Sequence, residues 1–129
     1  MSLTYNIRFK KKIVEKKQFK EFQEKHKNKI LLISDIHTTD RSYVDSIFED
    51  YTIEFDLGTA SFIDFDILKK ETDPQERNKL ILSLHDKIVN EIYPEEDYFF
   101  SFNGDIIYQM RENGITKRNS KSSFYQNLD

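Results

Sequence analysis

Strict alternation opens the chain: Leu3, Tyr5, Ile7 and Phe9 stand between Thr4, Asn6, Arg8 and Lys10. A period of two puts each set on one face of a strand. Lys16–Lys27 changes the period, with Phe19, Phe22 and His26 at helical spacing among lysines. The unbroken apolar run Ile30-Leu31-Leu32-Ile33 reads as a central strand buried on both faces. Thr38-Thr39-Asp40 then predicts the cap of a short helix, with Tyr43, Val44, Ile47 and Phe48 as its apolar side. A hairpin is predicted next, Tyr51–Leu57 and Ser61–Leu68, turning at Gly58-Thr59-Ala60. In that register Glu54 lies opposite Asp64 and Phe55 opposite Ile63.

The clearest helix starts at Asp73. Asp73 is the N-cap, Pro74 occupies the first helical position and Glu76 completes a capping box. Ile81, Leu84, Ile88 and Ile92 form its apolar stripe, with Leu80 and Val89 alongside, and Tyr93-Pro94 ends it. Tyr98–Phe102 and Asp105–Met110 flank Asn103-Gly104, a strong hairpin signal because both turn positions need positive φ. A second Asn-Gly, at 113–114, turns the chain into Ile115–Arg118. The pattern predicts an α+β fold: an antiparallel or mixed sheet of about six strands, with two or three helices mainly on one face. Residues 1–118 are expected to form this single domain. Residues 119–129 are expected to be a polar, flexible tail on which Phe124, Tyr125 and Leu128 are the residues able to dock.

Composition adds two constraints. Eleven Phe and seven Tyr supply bulky core material in 129 residues, while cysteine is absent. Disulfide and thiolate chemistry are thereby excluded, and a reducing, cytoplasmic location is expected. No apolar run reaches the ~20 residues of a membrane helix. Charge is unevenly spread: residues 1–30 carry ten Lys/Arg against three acids, and residues 31–110 six against eighteen. The acidic middle repels phosphates, so a basic protein is the expected partner and nucleic acid is not.

Glu54, Asp56, Asp64 and Asp66 are the candidate site, a row of carboxylates on one predicted hairpin face. Like charges opposed across a ladder repel. Three things could lie over them: a neighbouring strand bearing Arg8, Lys10 or Lys12, a hard metal ion, or a basic partner. Flat-strand carboxylates project in parallel, which is poor geometry for one ion, and no cofactor is expected. Phe62 is the apolar residue placed to anchor a partner on that face.

A second candidate is Lys29–His37, KILLISDIH. An apolar strand ending in Asp-x-His resembles the opening motif of the calcineurin-like metallophosphoesterases. The resemblance implies metal ligation by Asp35 and His37, and a second motif starting at Gly104-Asp105. Tyr108 stands where that motif has its second Asp, and no Gly-Asn-His-Asp/Glu segment occurs. Three histidines in the whole chain, His26, His37 and His85, are few for a two-metal site. Serine-nucleophile and phosphate-loop motifs are absent too. The leading expectation is an inhibitor or immunity-type protein that neutralises a basic partner such as a nuclease toxin. The alternatives are a self-associating accessory domain and a phosphoesterase-like protein using Asp35 and His37.

Overall fold

Strand β1 (Thr4–Phe9) lies in the middle of the sheet, between β4 (Tyr51–Ile67) and β5 (Tyr98–Phe102), antiparallel to both. The computed structural model describes residues 4–102, 105–121 and 124. Their order is β1, α1 (Lys17–Lys25), β2 (Leu31–Ile33), β3 (His37–Phe48), β4, α2 (Pro74–Lys87), a single π-helical turn (Ile88–Ile92), β5, β6 (Ile106–Glu112) and β7 (Ile115–Arg118). The fold is α+β, with seven strands in one mixed sheet and two α-helices among the described residues. No helix among the described residues is long and apolar enough to cross a membrane.

The alternation of β1 separates two cores. Tyr5, Ile7 and Phe9 face the helices and pack with Phe19 of α1, Ile81 and Leu84 of α2, Ile63 and Phe65 of β4, and Phe100 of β5. Asn6 and Arg8 face the other way. There a smaller core gathers Val44, Phe48, Ile53, Phe99, Ile107 and Met110. Helix α2 begins as its sequence predicts: the Asp73 carboxylate accepts the Glu76 N–H at 3.0 Å, and Pro74 follows the cap. Asp73→Ala is expected to destabilise the fold by about 1 kcal/mol in denaturant unfolding; an unchanged midpoint would deny the cap its role. Asn119 and Phe124 are both buried. The Asn119 side-chain amide donates to the Ile107 carbonyl at 2.9 Å, and Phe124 stacks on Tyr108. Tyr125 and Leu128, and the predicted Asn103-Gly104 turn, lie outside the described residues.

Three sequence expectations are corrected. The apolar run Ile30–Ile33 forms not a central strand buried on both faces but β2, which among the described residues pairs with β4 alone and leaves Leu32 51% exposed. The segment read as a short helix around Tyr43–Phe48 is strand. It buries Ser42, Val44, Ser46 and Phe48 and exposes Tyr43, Asp45 and Ile47. Two buried serines disguised the period-two face, leaving the apolar residues at a spacing that also fits a helix. The turn predicted at Gly58-Thr59-Ala60 is not a turn: β4 runs unbroken for 17 residues through it. The hairpin is β3–β4, reversing at Glu49-Asp50 with Glu49 at φ 57°. Gly58, at φ 63°, instead allows the ladder irregularities near Ser42 and Leu57.

These irregularities have an architectural result. The far part of β3–β4, the arm, folds over the back of β1, β5 and β6. Its inner side chains join the smaller core, and Arg8 donates to the Tyr43 carbonyl at 2.8 Å. At its tip, Ile47 pairs in parallel with Ile106 and donates its N–H to the Asp105 carbonyl at 2.9 Å. Pairing then runs β1–β5–β6–β3–β4 and back to β1, a small closed barrel.

Candidate functional site

The irregular stretch around Gly58 shifts the phase of β4 by one residue. Before it, Ile53 and Leu57 point inward to the smaller core. After it, Ile63, Phe65 and Ile67 point to the helices on the opposite side. The four predicted carboxylates therefore do not share a face. Glu54 is not opposite Asp64, nor Phe55 opposite Ile63: Glu54 pairs with Asp45, Phe55 with Val44, Asp64 with Asn6 and Ile63 with Ile7.

Asp64 and Asp66 sit beside β1 on its Asn6–Arg8 face. Asp64 accepts from the Asn6 amide at 2.6 Å, and Asp66 from the Thr4 hydroxyl at 2.9 Å. Burial lowers the Arg8 pKa, and the Asp64 charge opposes that shift. The basic first strand thus lies along this half of the predicted site, through neutral side chains in direct contact and Arg8 one step away. Phe62 pairs with Arg8 and His37, and its ring stacks on His37 at 5.3 Å. It is a half-buried member of the sheet, set apart from the arm's outer acids.

Glu54 and Asp56 lie on the outer face of the arm, where β3 supplies two residues that sequence reasoning missed. Asp45 is directly opposite Glu54, and Tyr43 opposite Asp56. Tyr43 is 55% exposed and Ile47 51%. Among the described residues no Lys, Arg or His nitrogen comes within 4 Å of Asp45, Glu54 or Asp56. The field of the three carboxylates reaches the phenol: the Tyr43 pKa is raised, chiefly by Glu54, with burial, Asp45 and Asp56 adding. Lys10, from the end of the basic strand, is engaged elsewhere. Its ammonium lies over the rings of Phe55 and Phe99 and pairs with Glu112 at 3.6 Å. Asp45 was legible in principle, since Tyr43, Asp45 and Ile47 alternate with Val44, Ser46 and Phe48.

The phosphoesterase-like residues are kept apart. Asp35 accepts from Lys20 at 2.9 Å and Gln23 at 3.0 Å, contacts that lower its pKa. His37 starts β3, whereas Asp105 contacts Ile47 near the other end of that strand. Ten residues of strand separate His37 from Ile47, a path on the order of 30 Å. Among the described residues, no three His, Cys, Asp or Glu side chains group as a metal site.

No match is found among family models, curated proteins or solved structures. The chemistry of the chain therefore rests on its own residues. A groove of about 360 Å³ between α1 and β2 is lined by Lys20, Gln23, Asn28, Leu31, Ile33 and Asp35. The polar lining is spent internally: Gln23 donates to the Ile33 carbonyl and to Asp35, and Asn28 accepts the Ile30 and Leu31 N–H groups. On the outer arm face Asp56 accepts the Gly58 N–H at 3.0 Å, while no Lys, Arg or His nitrogen among the described residues pairs with Asp45 or Glu54.

Proposed function

We propose that this chain is a small binding protein of the inhibitor or immunity type, whose acidic arm face covers the cationic surface of a basic partner such as a nuclease toxin. The observation that carries this reading is the Asp45–Glu54 opposition, with Asp56 beside it and no Lys, Arg or His nitrogen within 4 Å of them among the described residues. Like charges set across a ladder destabilise the strand pair. A partner's Lys or Arg placed between them relieves that repulsion only in the complex. Exposed Tyr43 and Ile47 in the same face supply the apolar contact that a charged patch lacks. A rigid acidic face also speeds encounter with a cationic cleft.

The contact set is Tyr43, Asp45, Ile47, Glu54 and Asp56. Phe62, Asp64 and Asp66 fall outside it. The double reversal Asp45→Lys with Glu54→Lys is expected to weaken capture of a cationic nuclease, read as inhibition of its activity, by about 100-fold or more. Asp66→Asn is expected to change nothing. At 1 M salt, where the screening length is about 3 Å, the wild-type complex is expected to weaken as well. Equal inhibition by the double variant would overturn the reading. So would a chain that binds no cationic nuclease at low salt.

A further inference from the structure

The arm closes onto the sheet over polar side chains as well as over the smaller core. Asp64, Asn6 and Ser101 stand side by side across β4, β1 and β5. Arg8 lies two residues along β1 from Asn6, on the same face. Asn6 and Ser101 are buried there, and β3 adds buried Ser46 from the inner side of the arm, in the row of Val44 and Phe48.

Two side-chain atoms beneath the arm are buried without a hydrogen-bond partner among the described residues. One is a donor, Arg8 Nε, and the other an acceptor, Asn6 Oδ1. Both residues are held elsewhere. Arg8 donates through Nη1 to the Tyr43 carbonyl at 2.8 Å, and Asn6 donates through Nδ2 to Asp64 at 2.6 Å, which turns its oxygen away from β4. Native folds rarely leave such atoms unsatisfied. Arg8, Ser46 and Ser101 also line a cavity of about 10 Å³, together with Val44, Phe99 and Ile107. One water molecule needs a volume on the order of 10 Å³. A hydroxyl has one donor and two acceptor sites, so each serine can serve a water whatever else it bonds.

We propose that the arm closes through one internal water molecule, which accepts from Arg8 Nε, donates toward Asn6 Oδ1 and is completed by the Ser46 and Ser101 hydroxyls. The charge pattern selects water over an anion. A halide satisfies Arg8 but is repelled by the Asn6 oxygen and the neighbouring Asp64 carboxylate, whereas water both accepts and donates. The water joins β1, β3 and β5 at one point. Through Arg8 it also bears on the Tyr43 backbone, and its binding is independent of what the outer face of the arm captures.

Oxygen-17 relaxation dispersion of the solvent counts waters held inside a protein for longer than it tumbles. Ser101→Thr fills the cavity with a methyl group and is expected to lower the wild-type count by one. Arg8→Met removes the donor and is expected to do the same, with circular dichroism confirming that each variant keeps its sheet. Melting temperature separates a wet cavity from a dry one. A methyl that fills a dry gap gains packing and raises it. Ser101→Thr is expected to lower it, because Arg8 Nε then loses its partner, and to lower it less in an Arg8→Met background. A count unchanged in both variants, or a Ser101→Thr protein that melts higher than wild type, overturns the proposal. So does chloride-35 relaxation that grows with wild-type protein and vanishes in Arg8→Met, which would place an anion in the cavity. A high-resolution crystal structure of the wild type needs no variant to fold: a water bonded to Arg8 Nε and Ser101 Oγ supports the site, and a dry cavity overturns it.

Discussion

Arg111→Ala is expected to cost about 3 kcal/mol or more, because it strips several charge-assisted hydrogen bonds from buried carbonyls at once. The π-helical turn Ile88–Ile92 leaves carbonyls without helical partners, and Arg111 on β6 collects them. Its Nη2 donates to Val89 O at 3.0 Å, Tyr93 O at 2.9 Å and Glu96 O at 2.6 Å, and its Nε to Glu96 O at 3.0 Å. The guanidinium also lies 5.0 Å from the centre of the Tyr98 ring. Among the described residues no carboxylate comes within 4 Å of it. It acts on backbone dipoles, joining the end of the second helix to the sheet. Lysine retains the charge but not the planar fork, so Arg111→Lys is expected to recover only part of the loss. Denaturant unfolding decides the matter. A loss in Arg111→Ala no larger than that of Asp73→Ala would mean that the carbonyls find water when the guanidinium is gone.

Stability is expected to fall with acidification, and His85 to be a principal cause. Its ring is fully buried, 4.2 Å from the Phe100 ring centre and 5.3 Å from that of Tyr98. Nδ1 lies 3.1 Å from Asp86, and among the described residues Nε2 has no hydrogen-bond partner. Burial lowers the pKa below the usual 6.5. Asp86 works against that shift, and Arg111 and Arg118 reinforce it. A base whose folded pKa is depressed keeps its contribution to stability above the unfolded pKa. It loses that contribution as pH falls from about 6.5 toward the folded value, at about 1.4 kcal/mol per pH unit. His85→Phe preserves the aromatic packing and removes the titration. The variant is expected to flatten the stability curve between pH 6.5 and 5, relative to wild type. A slope identical in both proteins would assign the acid sensitivity to other groups.

What was legible in the sequence follows from which residues carried unambiguous local chemistry. Strand β1 and helix α2 were readable because alternation, the Asp73 cap and the Tyr93-Pro94 stop each agree with the tertiary environment. The Asn113-Gly114 turn was readable for the same reason: positive φ at both positions is what that pair favours. The β3–β4 arm defeated the reading twice. Its turn is built from Glu49 and Asp50, with no glycine to announce it, while Gly58 announced a turn and delivered an irregular ladder. The candidate site inherited both errors. Glu54 and Asp56 do share a face, but their cross-strand neighbours, Asp45 and Tyr43, stand in the segment whose spacing predicts a helix. Asp64 and Asp66 were joined to them by an alternation that the fold interrupts. Arg111 gave no signal, since the backbone carbonyls it binds exist only once a π turn has formed beside β6.

The interrupted alternation of β4 gives the segment between Asp56 and Ile63 a fixed reading frame. An insertion or deletion there is not the tolerated length change of a surface loop, although Gly58-Thr59 resembles one. Removing a single residue would rotate everything downstream by one position. Ile63, Phe65 and Ile67 would leave the aromatic layer under the helices, and Phe62, Asp64 and Asp66 would be driven into it. The arm and the helix-covered sheet are thus kept in register by one out-of-step stretch of chain. Substitution at these positions is a local matter, but a change in their number reassigns the inside and outside of half the longest strand.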